Sequence, residues 1–441
     1  MKKYDTYKES GIEWIGEIPE GWEVVPIKYS LLIPLTDGPH ETPKLLPTGI
    51  PFISAEAIKN DKIDFNKKRG YISEEEHERF SLKYKPKLGD VYMIKSGATT
   101  GNLARVETEK EFNIWSPLAA FRPSPNKTTT DFLFFYMKSS RFFSAVELGW
   151  NYGTQQNIGM NVLENLKMLR PPISEQTQIA NYLDRKTTEI DQLIADKKAL
   201  VELYKEEKTA IINQAVTKGI NPEAKMKDSG IEWLGEIPEH WEVIKLKYLG
   251  VIKYGLGQPP KQKIGGLPII RATNVYRGKI DKNKLMFVDP DDIPYERDPI
   301  LKENDIIIVR SGAYTADSAI IPHEYDGAVT GYDMVIRAFY TEVAKFVALS
   351  LLSDYVLKSQ LLPESLRAAQ PHLNREELGE TLIALPVSRD EQRQIVDLIE
   401  NEIYYINSKI SKAEKYIDLL TEYRTALISE VVTGKIKVAD S

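Results

Sequence analysis

The sequence predicts an α+β protein built as a tandem repeat. Two globular α/β domains are separated by two long helices that form an antiparallel coiled coil, with pseudo-two-fold symmetry. Three observations predict this. Residues 10–24, SGIEWIGEIPEGWEV, return at 229–243 as SGIEWLGEIPEHWEV, differing at Ile15 against Leu234 and Gly21 against His240. Further pairs, KSGA at 95–98 with RSGA at 310–313 and EQ at 175–176 with EQ at 391–392, keep nearly the same step of about 220 residues, long enough for each copy to hold its own core. Finally, each copy changes once from short β-favouring runs to sustained helical periodicity.

The β-favouring portions come first in each copy. Runs such as VYMI at 91–94, LPII at 267–270 and IIIV at 306–309 are broken by turn-forming stretches, TDGPH at 36–40 and VDPDDIP at 288–294 among them. Aromatic residues are dense, as in FLFFY at 132–136. The helical portions follow. After Pro171 and Pro172, Ser174 is placed to cap a helix ahead of Glu175. Ile179, Leu183, Ile190, Leu193, Leu200, Tyr204 and Ile211 then fall on one heptad seam, interrupted by Lys186, Lys197 and Glu207. The second copy offers Ile395, Ile399, Ile406, Ala413, Tyr416, Leu420, Tyr423 and Leu427, with Glu402 and Lys409 polar. Gly219 and Gly434 end the two helices. The expected domains are therefore 1–170 (first globe), 171–220 (first helix), 221–386 (second globe), 387–436 (second helix) and 437–441 (tail).

Connectivity predicts the pairing. The first helix begins where the first globe ends, and few residues separate its end from the second globe. The second helix must run back along the first if the two pair. A helix of about 44 residues spans roughly 66 Å, near two turns of B-DNA at about 34 Å each. A dumbbell with a globe at each end is the expectation.

Composition narrows the function. The 441 residues contain no cysteine, which removes disulfides and thiolate metal sites and points to a reducing cytoplasm. Five scattered histidines show no metal-ligand spacing. The N-terminus lacks the apolar stretch of a secretory signal, and no run of apolar residues is long enough to span a membrane. Net charge is −6, with residues 1–170 close to neutral and 226–386 acidic. Attraction to nucleic acid by bulk positive charge is thereby disfavoured, so a DNA contact has to come from local clusters or with a partner's help.

At this point the motifs carry a resemblance. The doubled IEWIGEIPEGWEV opening, GDVYMIKSGATTG at 89–101 with NDIIIVRSGAYTA at 304–316, and PPISEQTQIANYLDRKTTEIDQLI at 171–194 with PVSRDEQRQIVDLIENEIYYI at 386–406 resemble the specificity (S) subunits of type I restriction–modification systems. The likeness covers the entire chain in the order globe, helix, globe, helix. One departure is Asn304 where the first copy has Gly89, which bears on the local turn. The resemblance implies that each globe is a target-recognition domain reading one half of a split, asymmetric double-stranded DNA sequence. It implies that the helices set the unread gap and dock two modification (methyltransferase) subunits. S-adenosylmethionine would be bound by those subunits, ATP and Mg by restriction subunits, and none of these by this chain. The residues agree independently that no catalysis resides here. The Pro-Pro pairs, RPPI at 170–173 and QPPK at 258–261, lack the acidic or amide residue before and the aromatic after that adenine methylation needs, and GxxxxGK[ST] is missing. A protein-binding scaffold is the alternative, and a self-sufficient nuclease a weaker one.

Base reading needs Arg, Lys, Asn or Gln at groove edges, with other side chains gripping phosphates. In the first globe the candidates are Lys95, Ser96, Thr99, Thr100, Asn102 and Arg105, then Asn151, Tyr152, Thr154, Gln155, Gln156 and Asn157. Lys67, Lys68 and Arg69 form a candidate phosphate grip. In the second globe the candidates are Arg271, Asn274 and Arg277, then Arg310, Ser311, Tyr314 and Thr315, then Arg367, Gln370, His372 and Asn374. Readers of unlike half-sites should differ between copies, so the shared SGA triplet reads equally as a common turn. Trp14, Trp22, Trp233 and Trp241 recur identically and are expected in packing roles. Glu175, Gln176, Glu391 and Gln392 are expected at caps or junctions.

Overall fold

A computed structural model describes residues 2–13, 15–149, 151–152, 156–366 and 371–438, with only the backbone of 151, 152 and 156. The chain forms two compact units, residues 1–197 with 415–441, and residues 198–414. The division differs from the expected globe–helix–globe–helix cut. Each unit is one globe together with half of each long helix, because each half-helix buries its apolar stripe against its own globe.

In the first unit the central sheet is antiparallel, in the order Leu103–Arg105, Val91–Ile94, Leu118–Phe121, Thr36–Asp37. Val91–Ile94 and Leu118–Phe121 are buried on both faces, which is why they read as unbroken apolar runs without alternation. A second sheet places Ile50–Ile53 between Gly70–Ile72, antiparallel, and Asn113–Ile114, parallel. FLFFY lies in the helix Thr130–Lys138, whose aromatic residues fill the core against the central sheet. The second unit repeats the plan. Its sheet runs Gly250–Tyr254, Met334–Ala338, Ile306–Ile308, Ser318–Ile320, and the helix Thr341–Leu351 packs on it. In the first unit the strand of the doubled opening motif, Glu23–Pro26, pairs with the strand leading into the first long helix, Lys167–Arg170. Trp241–Lys245 and Leu382–Pro386 do the same in the second. The repeated motif is therefore the clamp that closes each globe where its helix departs.

The long helices span Ile173–Lys218 and Arg389–Val432. The first begins one residue before Ser174, so that serine sits inside the first turn and does not cap it. At the second, Ser388 fills the capping role, its Oγ accepting the Glu391 N–H at 3.4 Å. Within the first unit the helix segments run antiparallel: Lys197 Nζ lies over the Tyr416 ring at 5.5 Å, and Arg424 Nε binds Asp191 at 2.8 Å. The second unit sets Lys409 over Tyr204 at 5.4 Å and packs Ile212 and Val216 into the same core as Ile395 and Ile399. The seam is correct in part. Ile179, Leu183, Ile190, Ile395, Ile399, Ile406, Ala413, Leu420 and Leu427 are buried, whereas Leu193 is 43% exposed, and Tyr416 and Tyr423 also face outward. Ile194, Val201 and Ile212 take the places expected for Leu193, Leu200 and Ile211. Adjacent apolar pairs leave a heptad count free to choose either member, and packing against the globe makes the choice.

Gly89 and Asn304 both adopt positive φ, +87° and +68°. The departure between the copies is thus conformationally neutral, since asparagine tolerates the left-handed region better than most side chains. No helix among the described residues is long and apolar enough to cross a membrane.

Candidate nucleic-acid interface

Three arrangements recur in both units and support the loops. Trp22 is buried and donates from Nε1 to Glu175 at 3.1 Å; Trp241 does the same to Glu391 at 3.0 Å. This confirms the packing role expected of these tryptophans and the junction role of the glutamates. Trp233 is instead 40% exposed and stacks on Tyr355, and Trp14 lies outside the described residues. Gln176 knits its helix start to the globe through Thr128 and the carbonyls of Lys127 and Pro171, while Gln392 reaches Pro386.

The second arrangement was not foreseen. Arg122 grips the buried Asp90 in a fork, Nε and Nη2 each at 2.7 Å, and Arg337 grips Asp305 at 2.9 and 2.7 Å. Asp90 and Asp305 also accept the backbone N–H of Lys87 and Lys302, each at 2.9 Å. The signal was present in the sequence, as an aspartate just before one strand and an arginine near or just past the end of its partner strand in each copy. Without the pairing register these are merely two charged residues.

The third is the SGA loop. In both units it is one turn with one hydrogen-bond pattern: Thr100 Oγ1 donates to the Gly97 carbonyl and Thr315 Oγ1 to that of Gly312, each at 2.7 Å. The N–H of Gly101 meets the Ile94 carbonyl, and that of Ala316 the Val309 carbonyl, each at 2.8 Å. The structural role of the triplet is thereby established. The loop also meets the second candidate stretch. Ser96 bridges to Asn157 and Ser311 to His372, and the N–H groups of Ile158 and Leu373 close on the carbonyls of Lys95 at 2.9 Å and Arg310 at 2.8 Å. Candidates some sixty residues apart therefore form one surface in each unit.

The side chains on that surface divide sharply. Ser96, Thr99, Asn102, Asn157, Ser311, Tyr314 and His372 are at least partly exposed around the two loops. Thr100 and Thr315 are buried in the turn. Asn151, Tyr152 and Gln156 form a short hairpin of which only the backbone is described, and Thr154, Gln155, Arg367 and Gln370 lie outside the described residues. Several candidates require correction. Lys95 is buried and bound to Asp37 at 3.2 Å. Arg105 is held by Asp131 at 2.7 Å, with Glu107 and Asp184 at 3.5 and 3.6 Å, on an edge strand facing the helix. Asn274 is fully buried and spends its amide on the Asp281 carbonyl and the Arg271 N–H. Asn374 closes a capping box with Glu377. Each carries out a local structural task that residue type alone does not reveal.

The remaining cations lie further along. Arg69 stacks on Trp115 at 4.7 Å and meets Glu56 at 3.3 Å; Lys68 sits over Tyr71, and Lys67 is exposed. Arg277 occupies the turn of the hairpin Val275–Tyr276/Lys279–Ile280 and is exposed. Arg271 packs across Gly331, its Nε buried without a partner. Arg310 lies between the rings of Tyr254 and Tyr332, at 4.5 and 4.3 Å. Among the described residues no group of three or more His, Cys, Asp or Glu could hold a metal ion.

Two like-folded units, each presenting its own pair of loops on a shared scaffold, define a tandem recognition protein. The family description "Type I restriction modification DNA specificity domain" matches residues 19–203 and 238–415, and the chain belongs to that family. It is 27% identical over 447 residues to the Methanocaldococcus jannaschii protein assigned as the type I restriction enzyme MjaX specificity subunit, covering 98% of both chains. It is 21% identical over 444 residues to the EcoKI specificity subunit of Escherichia coli K12, covering 96% of this chain and 90% of that one. Among solved structures, one described as the basis of complex assembly and conformational transition of the type I R-M system shares the fold with a TM-score of 0.71 at 14% identity. That match covers 95% of this chain and 99% of the other. The crystal structure of the HsdS subunit from Thermoanaerobacter tengcongensis matches with a TM-score of 0.53 at 15% identity, over 97% and 100% of the chains.

Proposed function

We propose that this chain is the DNA-recognition subunit of a type I restriction–modification complex, each unit reading one half of a bipartite, asymmetric target. The helix pair sets the unread gap and offers the surface on which two modification subunits and the restriction subunits dock. The chain itself is non-catalytic. S-adenosylmethionine serves the modification subunits in methylating adenine, and ATP with Mg serves the restriction subunits. The compartment in keeping with a cysteine-free chain of this class is the cytoplasm.

One observation carries the reading. The loop scaffold is the same in both units down to its hydrogen bonds, while the side chains it displays differ, Thr99 and Asn157 in one against Tyr314 and His372 in the other. A constant frame with variable display is what two unlike half-sites require. The net charge of −6 gives little bulk attraction to phosphate, so strong binding is expected in the assembled complex. Gel shifts on randomised duplexes, with and without the modification subunits, test this. Selection of a two-part sequence with an unselected gap is expected with the partners present. Selection of no sequence under either condition would leave a protein-binding scaffold as the better account.

A further inference from the structure

The two units solve one position of their common frame in opposite ways. In the first, Ala119 pairs with Met93 on one side and Asp37 on the other; in the second, Met334 pairs with Ile308 and Tyr254. Asp37 and Tyr254 are therefore equivalent, and Lys95 and Arg310 each lie two residues beyond the equivalent strand partners. The side chains have changed together. Asp37 is buried and binds Lys95 at 3.2 Å, Lys83 at 2.6 Å and His40 at 3.1 Å. Burial works against its charge, but Lys83 and Lys95 hold the carboxyl below its ordinary range. The Lys95 ammonium is thus neutralised and withdrawn.

In the second unit the carboxylate has become Tyr254, and the cation has become a guanidinium clamped between two rings. Tyr254 and Tyr332 are 36% and 47% exposed, so the sandwich stands at the surface. The two rings hold the guanidinium in place, and with Nε buried the edge left for hydrogen bonding is the Nη1–Nη2 pair. Among the described residues Arg310 has no carboxylate within ion-pair distance. Nη2 meets His372 Nε2 at 3.2 Å, while Nε is buried without a partner. By contrast Arg69, Arg79, Arg105 and Arg122, in the globe of the first unit, are each bound to a carboxylate. The neighbouring Arg271 has no carboxylate partner among the described residues either. Asp333 ties these segments together by accepting the Arg310 N–H at 3.4 Å.

We propose that Arg310 reads a guanine in the half-site of the second unit, through the paired O6 and N7 acceptors that this base presents in the major groove. The equivalent position of the first unit makes no such contact. The inference rests on the reading of the units as DNA-recognition modules. A planar, preorganised fork whose nearest neighbours are aromatic suits an acceptor pair on a flat base edge better than a single phosphate oxygen.

The test uses the full chain assembled with its modification subunits, with the methylated motif read by sequencing from wild type, Arg310→Ala and Arg310→Lys. The wild type should show one fixed G·C pair in one half-site. Preference at that pair should fall roughly ten- to a hundredfold in both variants, with the other half-site and the gap unchanged. Arg310→Lys keeps the charge but not the fork, so it decides the matter should the alanine variant fail to fold. A uniform loss of binding with an intact motif would make Arg310 a phosphate contact and overturn the inference, as would an unchanged motif. A wild-type complex that methylates without any two-part motif would overturn the recognition reading and the inference with it.

Discussion

Asp333 shows how one residue records what a surface is for. It is 2% exposed, its Oδ2 has no partner, and burial pushes its carboxyl up to about 6, with the Arg310 and Ala272 N–H groups opposing the rise. A carboxyl whose pKa is raised by folding stabilises the fold below its unfolded value near 3.8. It loses that contribution as pH rises through about 6, for a total of roughly 3 kcal/mol. Replacement by asparagine keeps an acceptor for the Arg310 N–H and removes the titration. Chemical denaturation of Asp333→Asn should therefore show the variant gaining on wild type between pH 4 and pH 7.5; parallel curves would mean that Asp333 is not the group that titrates. The buried forks behave differently. Arg122→Ala strands Asp90 and Arg337→Ala strands Asp305, each with an expected loss of about 3–5 kcal/mol in its unit. Equal midpoints for variant and wild type in thermal unfolding would refute this.

At the scale of elements, the helix ends are the most informative. Gly219 and Gly434 both have φ of +73°, where any L side chain is strained. Their surroundings differ. A Cβ at Gly219 would lie 3.3 Å from the Trp241 ring, whereas at Gly434 it would lie 2.4 Å from Pro19 Cδ and 2.6 Å from Cγ. Gly219→Ala should cost about 1 kcal/mol through backbone strain alone. Gly434→Ala should cost about 1–3 kcal/mol more, because Pro19 must shift. Calorimetry on the two variants gives the order, and a reversed order would show that the second helix end relaxes freely. The same elements explain the errors in the predicted seam. A heptad pattern is a statement about one helix, and Ile194 packs on the core of the first unit because the second helix and the globe press on that side. Neither neighbour is visible in the periodicity.

For the whole molecule, the doubling itself carries the function. A frame repeated in one chain permits one recognition surface to change while the other is kept, and Thr99 and Asn157 differ from their counterparts Tyr314 and His372 in that way. Exchanging residues 1–170 for the first globe of another member of the family should alter one half of the methylated motif and leave the other half unchanged. Motif sequencing of the assembled complex reads this directly, and a change in both halves would rule out modular reading.

The repeat, the central strands, the two long helices and their glycine ends were all legible in the sequence. Each is written in local signals: a copied motif, apolar runs buried on both faces, sustained periodicity, and glycine where φ turns positive. The polar residues were not legible in the same way. Lys95, Arg105, Arg122 and Arg310 are all cations beside β-strands, and nothing local separates them. Only strand register and helix packing together decide that Lys95 meets Asp37, Arg105 meets Asp131, Arg122 meets Asp90 and Arg310 meets two tyrosine rings. A cation's role is set by the charge or ring brought to it from distant sequence, so the tertiary structure had to choose among them.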